Sequence, residues 1–267
     1  MSSKCKVLIL AGNGINCERE TENAFDIAGA SETKIIHIND LKVKPSILEN
    51  YHLLALPGGF SYGDHIFAGI VLATDLKYSL YDPLIEFIEA EKLIIGICNG
   101  FQVQVRTGLL PGINKEYTRP IATLAPNSSS KFEDRWVHLV ANPNSPCVFT
   151  KGIKVIYLPV RHGEGRFVPK NKEINDHLKK KQLIALQYAD EKGNITNDYP
   201  YNPNGSTESI AGICDPTGRI FGLMPHPEAF CHPTNHPFWS RLSKSERKAQ
   251  GLLIFQNAVK YVKNYLV

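Results

Sequence analysis

Short apolar runs alternate with helical patterns through the first part of the chain. The runs Val7–Ala11, Leu53–Leu56 and Leu93–Ile97 are continuously apolar, as in strands that are covered on both faces. Segments with helical spacing lie between them, for example residues 69–78, and Asn16 is placed to cap the first of these segments. This alternation of strands and helices predicts an α/β fold, with right-handed crossovers and a mainly parallel central sheet flanked by helices.

The pattern changes after Pro120, where strand-like segments follow one another with short connections. These segments are Ile121–Leu124, Trp136–Val140, Val155–Val160, Leu183–Gln187 and Ile210–Cys214. A further segment, Ile220–Met224, follows an Asp-Pro-Thr-Gly turn and predicts a hairpin. Residues Lys244–Val262 have the spacing of an amphipathic helix. The second half therefore adds β-strands, and because no linker divides the chain we expect one domain over residues 1–267.

Composition and charge exclude several classes of function. Of the 267 residues, 43% are hydrophobic and 21% are charged, as in ordinary globular proteins. The formal net charge of +4 is too small to indicate nucleic acid or a membrane surface as a partner. No apolar run approaches the ~20 residues of a membrane helix. The six cysteines form no CxxC pair, and the start of the chain shows no apolar signal core, so we expect a cytoplasmic protein with reduced thiols.

The strongest candidate for a reactive group is Cys98, within Gly-Ile-Cys-Asn-Gly-Phe-Gln at residues 96–102. An apolar strand leads directly into this turn and a helical segment follows it. Glycines two residues before and two residues after the cysteine match the spacing of a nucleophile elbow. Such a turn presents the sulfur at a helix N-terminus, which favours the thiolate. The alternative, a buried core cysteine at a strand end, does not require the two glycines.

A thiolate nucleophile needs a base, and among the nine histidines His226 is the one with a carboxylate fixed beside it, in Met-Pro-His-Pro-Glu. Residues two apart in an extended segment point to the same side, and two prolines favour an extended segment here. Glu228 can therefore bind one ring nitrogen of His226 while the other nitrogen faces the nucleophile. His162, near Glu164, imitates this pair, and we interpret it as a structural or partner-facing residue.

Acyl transfer also requires hydrogen-bond donors for the developing oxyanion. The amide of Asn99 is one candidate, because it lies at the helix start after Cys98. The Pro-Gly-Gly-Phe turn at residues 57–60 is a second candidate, because it also follows a strand and opens at the same sheet edge. Without the cysteine turn, this glycine turn indicates only the end of a strand.

These motifs resemble those of the class I (triad) glutamine amidotransferases, and in particular the glutaminase subunits of phosphoribosylformylglycinamidine synthases. The matching stretches, in chain order, are Asn-Cys-Glu at 16–18, Pro-Gly-Gly-Phe-Ser-Tyr-Gly-Asp at 57–64, Gly-Ile-Cys-Asn-Gly-Phe-Gln at 96–102, Gly-Leu-Leu-Pro-Gly at 108–112, residues 127–135, His-Gly-Glu-Gly-Arg at 162–166, Asn-Pro-Asn-Gly-Ser at 202–206 and Met-Pro-His-Pro-Glu at 224–228. They cover most of the chain. The resemblance implies a flavodoxin-like fold of a single glutamine amidotransferase type 1 domain.

The resemblance also implies roles for individual residues. Cys98 would attack the side-chain amide of glutamine and form a glutamyl thioester. His226 would protonate the departing ammonia and then activate water, with Glu228 orienting it. The amides of Gly59 and Asn99 would hold the oxyanion.

Further substrate contacts are implied at Gln102, one helical turn after Cys98, and at Ser130 and Phe132, near the α-amino and α-carboxylate groups of glutamine. The ammonia would pass to a partner synthetase, accompanied by a small accessory subunit, which would use ATP and magnesium. No cofactor is implied in this chain itself. The Cys-His-Pro-Thr-Asn-His segment at 231–236 contains zinc-type ligands, but with no second ligand cluster in sequence we expect no metal.

Two other interpretations stay open at this point. A cysteine hydrolase of the related peptidase and chaperone superfamily would use a different base or acid, and a degenerate scaffold would only bind a partner. The chain also departs from the usual bacterial pattern, since Phe67 and Ala229 stand where arginines are common. Extra residues near 113–120 and 230–248 lengthen it relative to the compact bacterial subunit.

Overall fold

The computed structural model describes residues 4–244 and 247–267, and its first half forms a parallel sheet. The strands are β1 (Lys6–Ala11), β2 (Glu32–His37), β3 (Leu53–Leu56) and β4 (Leu93–Ile97). They lie in the order β2-β1-β3-β4, and each neighbouring pair is parallel. All residues of β3 and β4 are buried, because helices cover both faces of this part of the sheet.

Helices connect these strands and close the chain. They are α1 (Glu18–Ile27), α2 (Ile38–Val43), α3 (Ile70–Ser79), α4 (Tyr81–Glu89), α5 (Asn99–Thr107), α6 (Lys172–Lys180) and α7 (Leu252–Tyr265), with short 3-10 helices at Pro45–Asn50, Ser61–Asp64, Ile113–Lys115, Thr207–Ser209, Pro227–Phe230, Pro233–Asn235 and Trp239–Arg241. Within the described residues, none of the helices combines the length and apolar character that crossing a membrane requires.

The second half of the chain extends the same sheet. Its strands are β5 (Ala122–Ala125), β6 (Glu133–Ala141), β7 (Val155–His162), β8 (Arg166–Pro169), β9 (Ile184–Ala189), β10 (Ile210–Cys214) and β11 (Ile220–Leu223). Strand β11 pairs in parallel with β4, and β10, β9, β6 and β7 follow in antiparallel order, giving nine strands. Strands β5 and β8 form a separate antiparallel pair. The predicted α/β fold with additional β-strands in the second half is confirmed.

Two details differ from the expectations. Asn16 does not cap α1: Cys17 occupies the cap position without a side-chain hydrogen bond, and the backbone N–H of Asn16 donates to Gly58 O over 3.3 Å. The helix expected from Lys244 begins only at Leu252, and residues 245–246 lie outside the described chain. A Cβ at Gly251 would overlap Pro227 O, so the backbone here packs across another segment and Gly251 N donates to Phe230 O over 3.1 Å.

The C-terminal segment after the Met-Pro-His-Pro-Glu stretch packs against strands β6 and β7 through aromatic rings. The Trp136 ring on β6 lies 5.2 Å from the ring of Phe230, in an edge-to-face arrangement, and 5.9 Å from that of His236. Tyr157 on β7 also packs against His236, at 5.5 Å between ring centroids. These contacts bury aromatic surface on the two outermost strands, so the described part of the extra segment packs on the sheet through its rings.

We expect Gly100→Ala to destabilise the protein strongly, because a Cβ at this position would overlap Leu56 O at the end of β3. The expected loss is about 1–3 kcal/mol or more in the free energy of unfolding. Gly12→Ala is the matched control, since its Cβ would make only ordinary contacts of 3.5 Å with Ile15 and Ile38. Urea unfolding followed by circular dichroism measures both, and equal stabilities would contradict the close packing of α5 on the sheet.

Candidate active site

Cys98 lies in the turn between β4 and α5, in a strained conformation. Its φ of 50° and ψ of −104° are rare for a residue with a Cβ and cost about 1–3 kcal/mol. The turn is held by a hydrogen bond of 2.8 Å from Cys98 N to Leu223 O on β11. The sulfur lies 3.7 Å from Arg161 O, and the residue is 5% exposed. The structure therefore shows the elbow that the glycine spacing predicts, with the sulfur at the start of a helix.

His226 and Glu228 follow the end of β11, directly beside this turn. His226 Nδ1 and Glu228 Oε1 are 2.6 Å apart, and both side chains are buried. The backbone N–H of His226 donates to Pro159 O over 2.8 Å, which attaches the main chain at His226 to β7. The predicted pairing is present, although the segment is not extended throughout: Pro227–Phe230 forms a 3-10 helix, and this turn brings the carboxylate back to the ring.

The electrostatics of the pair favour a protonated imidazole. Burial alone would lower the pKa of His226, but the Glu228 carboxylate and the Cys98 sulfur together raise it well above its usual value. The second ring nitrogen, Nε2, has no hydrogen-bond partner among the described residues. The arrangement can therefore take up a proton from the Cys98 sulfur and hold it on the imidazole ring.

The two predicted oxyanion donors are both free. Gly58 O accepts hydrogen bonds from Asn16 N at 3.3 Å and from Cys17 N at 3.2 Å. The peptide bond between Gly58 and Gly59 is trans, so the N–H of Gly59 points away from these two residues. Asn99 N belongs to the first turn of α5, where N–H groups lack helical partners. In the described chain neither N–H has an acceptor. A developing oxyanion is the kind of acceptor that such a pair of amides can take.

The side chain of Asn99 ties the glycine turn to α5. Its Oδ1 accepts from Ser61 N over 3.2 Å, and its Nδ2 donates to Asp64 Oδ1 over 3.3 Å and to Gln102 Oε1 over 2.9 Å. Gln102 Nε2 in turn donates to Glu164 O. The side-chain amide of Gln102 is thus bonded at both ends and buried, and a contact of this group with glutamine stays a prediction.

A second set of contacts holds the loop that follows the glycine turn. Glu164 Oε2 accepts from Ala68 N over 3.3 Å, and Arg106 Nε donates to Ala68 O over 2.7 Å. The Phe67 ring, which stands where an arginine is common, lies 5.5 Å from the guanidinium of Arg106. Burial and the neighbouring Glu164 carboxylate raise the pKa of Asp64 to about 6. The loop is therefore attached to the site through charged groups.

Ser130 and Phe132 lie in the segment that leads into β6. Ser130 has a φ of 55° in a turn closed by its N–H on Asn127 O at 2.9 Å. The Phe132 ring is 53% exposed and lies 6.4 Å from the exposed ring of Phe60, which follows Gly59. The structure thus brings the predicted substrate-binding segment next to the glycine turn, and direct substrate contacts of Ser130 and Phe132 stay predictions.

His162 is buried rather than partner-facing. Its Nδ1 is hydrogen-bonded to Asn127 Oδ1 at 3.1 Å, and burial together with the nearby His226 ring lowers its pKa to about 3. Asn127 Nδ2 also donates to His162 O and Lys131 O, so this asparagine shapes the predicted substrate loop. The neutral ring of His162 supports the structural interpretation.

Sequence reasoning gave no role to Cys17, whose side chain contacts the His226 ring. Cys17 belongs to a different strand–helix connection from both other active-site segments. Its one sequence signal is its place in the Asn-Cys-Glu stretch, which resembles a family motif but contains no pattern that predicts contact with the histidine.

We expect Glu228→Gln to lower the pKa of His226, because the substitution removes the carboxylate charge that raises it. NMR titration of the imidazole resonances measures this shift, with Glu208→Gln, at an exposed ion pair with Lys179, as the control. Because the pKa of His226 is higher in the folded state than in the unfolded state, protonation of the ring stabilises the folded protein. This stabilisation is complete at pH values below the unfolded-state pKa of ~6.5, and it is lost as the pH rises through the folded-state pKa. In Glu228→Gln, the free energy of unfolding should therefore fall less than in the wild type as the pH is raised. An unchanged His226 titration in Glu228→Gln contradicts this account.

Comparison with known proteins agrees with this geometry. The family model described as a CobB/CobQ-like glutamine amidotransferase domain matches residues 4–262. The phosphoribosylformylglycinamidine synthase subunit PurQ of Dehalococcoides mccartyi is 48% identical, covering 98% of this chain and 99% of that protein. The subunit of the same name from Methanococcus maripaludis is 47% identical, over 96% and 97%. The structure of PurLQS from Thermotoga maritima contains a chain with a TM-score of 0.70 and 31% identity, covering 97% of this chain and 99% of that one. The chain therefore belongs to the CobB/CobQ-like glutamine amidotransferase family.

Proposed function

We propose that this chain is the glutaminase subunit of a phosphoribosylformylglycinamidine synthase, which releases ammonia from glutamine for de novo purine biosynthesis. The observation that carries the proposal is the position of Cys98, in a strained elbow beside the buried His226–Glu228 pair. Relatives with nearly 50% identity carry this subunit's name over their full length. A nine-stranded sheet that contains strands from both halves of the chain, and one contiguous cluster of buried apolar residues, support a single domain.

The geometry supports a thioester mechanism. The Cys98 sulfur attacks the side-chain carbonyl carbon of glutamine, and its proton moves to His226 Nε2. The resulting oxyanion accepts hydrogen bonds from the N–H groups of Gly59 and Asn99. The C–N bond then breaks, His226 returns the proton to the departing ammonia, and a γ-glutamyl thioester remains on Cys98.

Hydrolysis of the thioester uses the same groups, with His226 acting as a base toward water. His226 takes a proton from water, the hydroxide attacks the thioester carbonyl, and glutamate leaves as the Cys98 sulfur is released. Glu228 stays on Nδ1 at 2.6 Å and holds the ring in the tautomer that both steps require. Ser130 and Phe132 would contact the α-amino and α-carboxylate groups of the substrate, and Gln102, one helical turn after Cys98, would also contact it.

The ammonia product implies an acceptor, since a free glutaminase would only discard it. We propose that the chain works with a synthetase subunit and a small accessory subunit, as in the PurLQS assembly of Thermotoga maritima. ATP and magnesium would be used by the synthetase, which converts formylglycinamide ribonucleotide to formylglycinamidine ribonucleotide. The cytoplasm is the compartment proposed for this assembly.

Closure of the site supports dependence on the partner. Cys98, His226 and Glu228 are each at most 6% exposed, so glutamine needs the site to open. The loop after the glycine turn carries two exposed apolar side chains, with Ile66 at 78% and Phe67 at 48%. Because this loop is attached to the site through Asp64 and Glu164, a partner that binds its tip can change access to Cys98.

We expect Cys98→Ala to abolish glutamine-dependent synthesis by the assembled complex while ammonia-dependent synthesis remains near the wild-type rate. The reason is that the thioester forms on Cys98, whereas the synthetase acts on ammonia from any source. Coupled assays with glutamine or with ammonium salt measure the two rates separately. An equal loss of both rates would show that Cys98 is structural and that the thioester mechanism is wrong.

We further expect the isolated chain to hydrolyse glutamine slowly and the synthetase, with its nucleotide substrate, to stimulate it by about 5–150-fold, the usual range of coupling between sites. Ile66→Ser should reduce the stimulation if the loop tip transmits it. Val43→Ser is the matched control, since Val43 is 87% exposed at the end of α2. Steady-state ammonia release measures each variant, and full activity of the chain alone would refute the coupling.

A further inference from the structure

A cluster of buried polar side chains lies beside the proposed catalytic pair and has no part in the thioester mechanism. Its central members are Asn127 and His162, each 2% exposed. The His162 ring is close enough to His226 for a charge on that ring to lower the pKa of His162. Asn204, from a third segment, completes the cluster, with its Nδ2 at 3.5 Å from His162 Nε2.

The side-chain amide of Asn127 is fully used in hydrogen bonds. Its Nδ2 donates to Lys131 O over 2.9 Å and to His162 O over 2.8 Å. Its Oδ1 accepts from Gly165 N over 3.0 Å, which fixes the orientation of the amide. The contact of 3.1 Å between this oxygen and His162 Nδ1 therefore places the imidazole hydrogen on Nδ1. A buried network whose members are satisfied makes the surrounding backbone rigid.

The ring of His162 stays neutral in this network. With its hydrogen on Nδ1, the Nε2 atom carries a lone pair and faces Asn204 Nδ2. The same Nδ2 donates to Gly165 O over 2.9 Å, so a second hydrogen on the ring would meet another donor. A Cβ at Gly165 would overlap the ring, which shows how closely the turn after β7 packs on the imidazole. His162 thus fixes Asn127 without adding a charge beside His226.

Asn127 begins a short segment whose ends are buried and whose tip is exposed. Residues 130–132 are exposed, whereas Glu133 at the other end is buried. The backbone of Ser130 is left-handed, with a φ of 55°, and its N–H donates to Asn127 O. Such a conformation is uncommon for a residue with a Cβ, and it persists where the surroundings hold it, as at ligand-binding positions. The bonds of Asn127 to Ser130 N and Lys131 O thus determine the shape of the tip.

We propose that Asn127 is a positioning residue for substrate recognition, which fixes residues 130–132 in the shape that binds the α-amino and α-carboxylate groups of glutamine. The inference rests on the proposed glutaminase function. Asn127 acts through the exposed tip, because its own side chain is buried and fully bonded. Its substitution therefore weakens glutamine binding and leaves the chemistry at Cys98 intact.

The first test is Asn127→Asp in the complex of the full chain with the synthetase. Aspartate keeps an acceptor for Gly165 N but has no N–H for the carbonyl groups of Lys131 and His162. Because these buried carbonyls lose their donors, we expect the KM for glutamine in ammonia release to rise by about 10-fold, with kcat within about 2-fold of the wild type. An unchanged KM, or a fall in kcat of the same size, overturns the inference.

Labelling of Cys98 in the same complex separates substrate recognition from a general change of the site. A diazoketone analogue of glutamine carries both α groups, whereas iodoacetamide carries neither. We expect Asn127→Asp to slow labelling by the analogue about 10-fold and labelling by iodoacetamide less than about 2-fold. Equal slowing by both reagents, or no slowing, overturns the inference. Failure of the analogue to label Cys98 in the wild type refutes the glutaminase function instead.

Asn142→Asp is the matched control. The Asn142 side chain likewise donates to a backbone carbonyl, Ile184 O, over 3.2 Å, but it follows the opposite end of β6 from residue 133. Both kinetic constants and both labelling rates should stay at their wild-type values. The same changes in this control would show that the effect of Asn127→Asp is not specific and would overturn the inference.

Hydrogen exchange covers the case in which Asn127→Asp fails to fold. We expect Ser130 N–H to exchange slowly in the wild-type complex without substrate, because Asn127 O accepts its hydrogen bond. L-Glutamine added to the Cys98→Ala complex, which cannot form the thioester, should slow exchange at Lys131 and Phe132. Unprotected Ser130, or protection elsewhere in the site without a response of these two amides, overturns the inference. No protection by glutamine anywhere in the site refutes the function.

Discussion

The parallel pairing of β4 with β11 is the interaction on which the rest of the site depends. Gly96 lies opposite Gly222 and Ile97 lies opposite Leu223, so the two strands end side by side. Cys98 follows one strand and His226 follows the other, and the bond from Cys98 N to Leu223 O joins the two exits. The strands come from distant parts of the sequence, yet their common end sets the distance between the predicted nucleophile and its predicted base.

The same pairing determines how closely α5 approaches the sheet. A Cβ at Gly222 would overlap the Phe101 ring, and one at Gly96 would overlap the Gln104 side chain. Both glycines therefore provide space for side chains of α5, whose first turn starts directly at Cys98. A larger residue at either strand position would push the helix outward and move the Asn99 amide away from the sulfur. The close packing of α5 on the sheet and the strained conformation of Cys98 therefore both depend on the pairing of β4 with β11.

The antiparallel strands of the second half contribute to the candidate active site as well as to the core. Strand β7 is at the far edge of the sheet order, but its residues contact both Cys98 and His226. Pro159 O accepts from His226 N over 2.8 Å, and Arg161 O lies 3.7 Å from the Cys98 sulfur. The sheet must therefore curve strongly between β11 and β7. This curvature encloses the site, and it explains why the three predicted catalytic side chains are nearly inaccessible in the chain alone.

Local patterns in the sequence determined most of the elements and pointed to the predicted catalytic residues. The buried runs before Pro57 and Cys98, the glycines around Cys98 and the short spacing of His226 and Glu228 are all visible within a few residues, because strand burial and turn geometry are local constraints. The tertiary structure determined the contacts between segments that are distant in the sequence. The contact of Cys17 with His226, the enclosure by β7 and the bonds from Asn16 and Cys17 to Gly58 O join segments far apart in the chain. No local spacing encodes such contacts, since they arise only when separate strand ends meet at one edge of the sheet.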